Sequence, residues 1–279
     1  MLSRRSIFLH HYRWIIVFLF WQNCYSAEIF YWKDDAGRRH YSDRPAINAT
    51  KKQIDSGFFY SRVKTVFDGD TFVLQNGNRI RLLGINTPEV EGRRKSAEPG
   101  GEKAKQWLKE KILVHKVRLQ ADIEKFDHYK RRLAHVFTES GEHINLRLVE
   151  LGLASVNIYP PNLLYAEQFV SAQQQAQQAR LGIWGHPAYA TKPIRILEDQ
   201  RLRGWQRLVG RPIKIRHSKK FARLIFSTQV DVRISLRNLA LFPSLNNYLG
   251  KDIEVRGWPS RRKKHYSILV RHPSALVEL

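Results

Sequence analysis

The sequence predicts a mainly β protein with helices, α+β in class, and three observations carry that reading. Residues 63–89, VKTVFDGDTFVLQNGNRIRLLGINTPE, set three short runs rich in Val, Leu, Ile, Phe and Thr around two turn signals, Asp68-Gly69 and Asn76-Gly77. That spacing is what a three-stranded antiparallel meander requires. Residues 102–112 repeat apolar positions at helical intervals, and residues 208–279 break into strand-like runs divided by Gly, Pro and Ser. At 279 residues the chain has room for one large domain or two small ones, each with a real core.

At the N-terminus (1–27), Arg4, Arg5 and Arg13 precede the apolar run WIIVFLFW at 14–21. The run is short for a bilayer span and of the right length for a signal-peptide core, so the chain is expected to be exported, periplasmic or secreted. Bulky Tyr25 makes a poor cleavage site before Ser26 or Ala27, which keeps an uncleaved anchor facing outside the cytoplasm as the alternative. The single cysteine, Cys24, precedes the cut, so the mature protein would contain no thiol and no disulfide. Residues 28–45 place aromatic residues on both sides of Asp35-Ala36-Gly37, predicting a small hairpin. Residues 46–60 read as a polar connector.

The main body is expected over 61–187. After the meander, Ala104, Trp107, Leu108 and Ile112 form one apolar helix face with lysines opposite, and Trp107 is assigned to the core. Residues 117–121 and 133–138 alternate as strands four and five. Helices follow at 144–151 and at 165–179, the latter with glutamines assigned to its solvated face. Five strands with a helix between the third and fourth describe an oligonucleotide-binding-type barrel, here with three helices. From 188 to 279 a second, smaller barrel-like β domain is expected, with turns at 250–252 and 258–260 and a basic hairpin tip at 261–264. Its final runs resemble strands of a small barrel that binds oligonucleotides in other proteins.

Polar residues stand in the meander where apolar ones are expected. Asp68 and Asp70 are two apart and on an extended backbone would share a face. Arg81 interrupts the third apolar run, and Asn86, Thr87 and Glu89 follow in one loop stiffened by Pro88. An oxygen-rich cluster beside a guanidinium suits a hard cation together with a phosphate. The formal net charge of +23 also favours a polyanionic partner, nucleic acid or an anionic membrane surface.

These residues carry a resemblance to the staphylococcal-nuclease-like (thermonuclease) family, over roughly residues 61–185. The matching pieces are Asp68-Gly69-Asp70-Thr71, then Arg81-Leu82-Leu83-Gly84-Ile85-Asn86-Thr87-Pro88-Glu89, then Asp127-His128-Tyr129-Lys130-Arg131. The N-terminal residues 28–45 resemble a short module of unassigned function found in bacterial envelope proteins. The nuclease resemblance implies a metal-dependent endonuclease that cleaves DNA and RNA at the 5′-oxygen and leaves 3′-phosphates, and the C-terminal barrel-like segment is expected to add grip on single strands, the preferred substrate. It implies one calcium ion held by Asp70, Asn86 and the backbone carbonyl of Thr87, with Asp68 behind them. It further implies Arg81 and Arg131 on the phosphate and Glu89 orienting or deprotonating the attacking water; Tyr129 and Tyr159 are candidate base-stacking residues near the site, with a core position the alternative for Tyr159.

Two positions depart from the family pattern. Asn86 stands where aspartate is usual, removing one negative charge, and Lys130 replaces a glycine, which costs about 1 kcal/mol if its φ is positive. The rival reading is a nucleic-acid-binding envelope protein with weak or absent turnover. Association with a membrane through the N-terminal segment, in an otherwise monomeric protein, is the further partner expectation. His115, His135 and His143 lack metal-ligand spacing and are assigned to the surface.

Overall fold

The computed structural model describes residues 28–34, 36–42, 44, 49–53, 59–92 and 96–279. The expected export segment, with Cys24, lies outside them, and no described helix is long and apolar enough to cross a membrane. The chain divides into two compact units, Met1–Phe58 and Phe59–Leu279.

In the first unit β1 (Glu28–Lys33) and β2 (Arg39–Ser42) form the expected hairpin, with Asp34 accepting hydrogen bonds from the backbone N–H groups of Ala36 and Arg38 at the turn. The connector reading needs correcting. Residues Thr50–Gln53 form β3 on the free edge of β1, giving the order β2-β1-β3. A two-stranded hairpin is marginal alone, and the third strand fills an edge that local pattern does not reveal.

The second unit opens with the meander: β4 (Tyr60–Val66), β5 (Thr71–Leu74) and β6 (Arg79–Leu82), with a two-residue strand, β7 (Ile85–Asn86), just after it. Helix α1 (Gly101–Ile112) precedes β8 (Lys116–Gln120) and β9 (Arg132–Thr138), and the five long strands close into a barrel in the order β4-β5-β6-β9-β8. β6 and β9 are its parallel pair, joined by the crossover that carries α1. Helix α2 (Ile144–Glu150), the short strand β10 (Ser155–Val156) and α3 (Ala166–Gln178) follow. One core holds Phe72, Leu74, Ile80 and Leu82 from the meander, Leu108 and Ile112 from α1, and Leu148 and Phe169 from α2 and α3.

Two sequence expectations fail on this layer. Alternation along β9 sends Ala134 and Val136 into the barrel and His135 and Phe137 to its outer side, which α2 and α3 cover. His135 is therefore 1% exposed rather than on the surface, with the Tyr165 and Phe169 rings 4.8 and 5.8 Å away. His143 stacks on Phe137 at 4.5 Å and is half-buried; His115 is exposed. Gln173 on α3 is also buried, because its Oε1 accepts the β10 backbone N–H of Val156 (2.7 Å).

The remaining chain forms β11 (Lys192–Pro193), α4 (Ile196–Asp199), β12 (Gln206–Gly210), β13 (Lys214–His217), β14 (Phe221–Ile225), β15 (Val230–Ser235), β16 (Ile253–Gly257), β17 (Pro259–Arg262), β18 (His265–Val270) and β19 (Leu276–Glu278). They build a four-stranded sheet, β11-β12-β16-β19, and a five-stranded sheet, β13-β14-β15-β18-β17, around a second core that includes Leu208, Leu224, Val232, Val255 and Ile268. The turn expected at 258–260 is instead the start of β17. Proline is tolerated there because β17 is an edge strand. The hairpin tip is Lys263-Lys264, with Arg261 and Arg262 on the strand.

This β domain is fixed to the barrel by a small aromatic cluster. Trp184 packs edge-on to Trp205 at 6.0 Å, and the Tyr189 hydroxyl donates to Pro99 O (2.8 Å). Buried Glu254 takes bidentate hydrogen bonds from Arg207 (2.7 and 2.9 Å) and a third from Arg256 (2.7 Å). Both guanidinium groups also lie over the Trp184 ring.

Candidate active site

The site forms where the turn after β4, the end of β6 and the loop after β7 meet. Asp68-Gly69-Asp70 is a bend rather than an extended strand, so the two carboxylates are neighbours for a different reason from alternation. Asp68 Oδ1 accepts the N–H of Asp70 (3.0 Å) and holds the bend. A side chain at Gly69 would meet Ala104 Cβ and Thr87 Cγ2 at 2.7 Å, so only glycine lets α1 and the Thr87 loop close on the bend.

Asp70 is buried and fully engaged. Its Oδ1 accepts from Thr71 Oγ1 (3.0 Å), and its Oδ2 accepts the Thr87 N–H (3.0 Å) and faces Arg81 Nη1 (2.9 Å). Arg81 also donates to Leu82 O (3.0 Å), Ile85 O (3.0 Å) and Asn86 Oδ1 (3.2 Å). The Asn86 amide in turn donates to Thr87 O (3.0 Å). Asp70, Asn86 and the Thr87 carbonyl are thus gathered around one guanidinium. Burial and the charge of Asp70 push the Asp68 carboxyl up to about 6.

Arg131 joins the same cluster through Thr71. Its Nε donates to Asp127 Oδ2 (2.7 Å), and Asp127 Oδ1 accepts the backbone N–H groups of Tyr129 and Arg131 (both 2.9 Å). Burial raises the Asp127 carboxyl, but these hydrogen bonds outweigh it and hold the group below the usual carboxylate range. Arg131 Nη1 then meets Thr71 Oγ1 at 3.4 Å. Lys130, in this turn, has φ 62°, the strained left-handed conformation that its replacement of glycine made a concern.

Glu89 sits beyond Pro88, and its backbone is clamped by Glu98. Its N–H donates to Glu98 Oε2 (3.0 Å) and its carbonyl accepts the Glu98 N–H (2.8 Å). Tyr129 is 70% exposed with the Arg131 guanidinium 5.5 Å from its ring, and Tyr159 is 43% exposed. Tyr159 is tied to the site through its chain neighbours, since Ser155 pairs with Asn86 and the Asn157 N–H donates to Gly84 O (2.8 Å).

Comparison with known proteins matches the sequence of this region to a known family. Residues 79–186 match the family described as Staphylococcal nuclease homologue. A Thermonuclease from Staphylococcus intermedius is 38% identical over 125 residues, 44% of this chain and 74% of the relative. A Thermonuclease from Staphylococcus hyicus is 34% identical over 128 residues, 45% of this chain and 75% of that protein. The chain belongs to the staphylococcal nuclease family. Endonuclease YncB of Bacillus subtilis is 36% identical over 129 residues, 44% of this chain and 61% of the relative. Residues 17–56 match a domain of unknown function (DUF4124), the envelope-type module expected at the N-terminus. As a member of the staphylococcal nuclease family the chain is a hydrolytic nuclease whose substrate is nucleic acid.

Among the described residues no group of three or more His, Cys, Asp or Glu side chains is placed to hold a metal ion. A cation at this nuclease site would therefore rest on one carboxylate, a carboxamide oxygen, a backbone carbonyl and water, which is a donor set for a hard ion. By their chemistry these residues fit such an ion, which would draw the Asp70 and Asn86 oxygens away from Arg81.

Sequence reasoning passed over two functional side chains in this site. Thr71 bridges Asp70 to Arg131, and Asp127 holds Arg131 on its Nε edge. Both stand inside the motifs that identify the family, and their spacing from Asp70 and Arg131 was the available signal.

Proposed function

We propose that this nuclease is an exported, calcium-dependent enzyme that hydrolyses phosphodiester bonds of both DNA and RNA, with single strands preferred. It cleaves the bond to the 5′-oxygen and leaves 3′-phosphates. The observation that carries the reading is the meeting of Arg81 and Arg131 on either side of the Asp70–Thr71 pair. Two planar forks at one point match the oxygens of a phosphoryl group, where lysine offers only a point charge.

In this reading Asp70, Asn86 and the Thr87 carbonyl hold one calcium ion, which when bound supplies Lewis acidity at the scissile phosphate. Arg81 and Arg131 bind the charge that grows on the phosphoryl oxygens. Glu89 orients the attacking water and takes its proton, with its backbone clamp limiting misplacement. Asp127 sets the Arg131 guanidinium, and Tyr129 and Tyr159 stack on neighbouring bases. Asn86 contributes no charge to the ion, so calcium is bound in the weak regime of extracellular sites, consistent with export.

The test incubates the full chain with labelled single-stranded DNA and RNA, in calcium and in chelator. Cleavage in calcium alone, with 3′-phosphate ends, is expected. Glu89→Gln should lose about a hundredfold or more in kcat while oligonucleotide binding is unchanged. Tight binding with no cleavage at millimolar calcium would instead establish the binding-protein reading.

A further inference from the structure

We infer that the outer face of the five-stranded sheet is a docking track for the single-stranded nucleic acid that runs out of the cleavage site past Tyr159. The inference rests on the nuclease reading above and assigns the C-terminal domain a part in it.

The strand register sets Arg216 opposite Arg223, and Arg223 opposite Arg233, on three adjacent strands. Ala222, Leu224, Val232 and Ile234 are buried in the core, so alternation turns the arginines on β14 and β15 to the other side. Like charges directly opposite on one face are destabilising, and Asp231 neutralises Arg223 alone, so Arg216 and Arg233 have no ion-pair partner among the described residues. Asp231 is the one acidic residue that alternation places on this face, and its charge is spent inside the sheet. It is 2% exposed, accepts from Arg223 and the Ser267 hydroxyl, and lies 3.1 Å from His265. Arg233 Nε is buried with no hydrogen-bond partner among the described residues.

The row also leads to the nuclease site. β15 runs parallel to β18, with Arg233 opposite Leu269, and the residue after the end of β18 is Arg271. Its guanidinium lies 4.3 Å from the centre of the Tyr159 ring. Arg233 thus lies one strand across and two residues back from the arginine that covers Tyr159, which places the row on the strand beside the one that ends at that contact. At the row itself Arg233 lies over Phe221 at 5.4 Å. Cationic groups along a backbone path, with aromatic rings at both ends, are the recurring means of holding single strands without sequence preference. An anionic membrane would also meet the charge, but the continuity with Tyr159 favours the strand.

The test uses fluorescence anisotropy of the full chain with labelled single strands of about 30 and about 6 nucleotides, in chelator so that nothing is cut. The double variant Arg216→Gln/Arg233→Gln should bind the long strand about tenfold more weakly, and the slope of log affinity against log salt should become shallower by about 1.4. Binding of the short strand, and its cleavage in calcium, should be unchanged. Arg271→Gln gives a second variant should the first fold poorly, and it should weaken long-strand binding as well. Unchanged long-strand affinity and slope would overturn the inference. So would retained DNA affinity combined with lost flotation on phosphatidylglycerol vesicles, which would make the face a membrane contact. A chain that binds with the expected slope yet cleaves nothing supports the track while refuting the catalytic reading.

Discussion

Replacing His135 by phenylalanine should make the protein markedly more resistant to acid. His135 lies among Tyr165, Phe169 and His143, and neither ring nitrogen has a hydrogen-bond partner among the described residues. Burial alone depresses its pKa from 6.5 to about 4. Because the folded value lies below the unfolded one, the unfolded chain takes up the proton first as pH falls. Stability is therefore whole above about pH 6.5, declines as pH falls, and is fully lost by this route only below about pH 4. Linkage over that interval amounts to ~3 kcal/mol, of which about 2 kcal/mol is already gone at pH 5. His143 acts in the same direction, its pKa depressed to about 3 by burial first and then by the charges of His135 and Arg118. Urea unfolding followed by tryptophan fluorescence at pH 7, 6 and 5 measures the effect. The wild type should lose about 2 kcal/mol more than His135→Phe between pH 7 and 5. Parallel losses in the two proteins would refute the assignment of acid sensitivity to this buried ring.

The other predictions concern the site and the domain contact. Asn86→Asp restores a carboxylate beside Asp70 and should lower the calcium concentration for half-maximal activity about tenfold, as read from a calcium titration of cleavage. Asp127→Ala frees the Nε edge of Arg131 and should cut kcat about a hundredfold while leaving the calcium titration midpoint in place. Glu254→Gln removes the charge between Arg207 and Arg256 in a buried setting and should cost about 3 kcal/mol in urea unfolding at neutral pH.

The barrel was legible because its strands obey local rules. Asp68-Gly69 and Asn76-Gly77 mark turns, and Val63, Phe72, Leu74, Ile80 and Leu82 fall on the buried face that alternation assigns. What stayed hidden depends on cover supplied from far along the chain. His135 alternates outward from the barrel in the manner of a surface residue, and it is buried by His143 at the start of α2 and by Tyr165 and Phe169, which lie 30 and 34 positions further along the chain. Gln173 likewise looks solvated until the two-residue strand β10 needs an acceptor for the Val156 N–H. Strand β3 was missed because its partner edge lies on β1, beyond the hairpin that local pattern defines. In the site Asp70, Arg81, Asn86 and Thr87 share one hydrogen-bonded cluster drawn from a single short segment, but the contact between Arg271 and Tyr159 joins positions 112 apart and has no local signal at all.

The two arginines are held in different ways, and the difference bears on how the site works. Arg81 is fastened through Nη1 and Nη2, to Asp70, to the Leu82 and Ile85 carbonyls and to the Asn86 amide oxygen. Its position is therefore coupled to every side chain proposed to hold calcium, so an ion drawing on Asp70 and Asn86 would weaken two of those four contacts and turn the fork towards an incoming phosphate. Arg131 is fastened through Nε to Asp127, in a turn held by four further hydrogen bonds that involve that residue's carboxylate and backbone, and its Nη1 points at Thr71. No proposed calcium ligand touches it. Arg81 should accordingly respond to the ion, whereas Arg131 is set by the fold, and the strained Lys130 is the cost of setting it. On this reasoning an Arg81→Lys variant should shift the calcium dependence of activity as well as its maximum, whereas Arg131→Lys should lower the maximum alone. The same calcium titration applied to both separates the two roles, and identical profiles would remove the distinction.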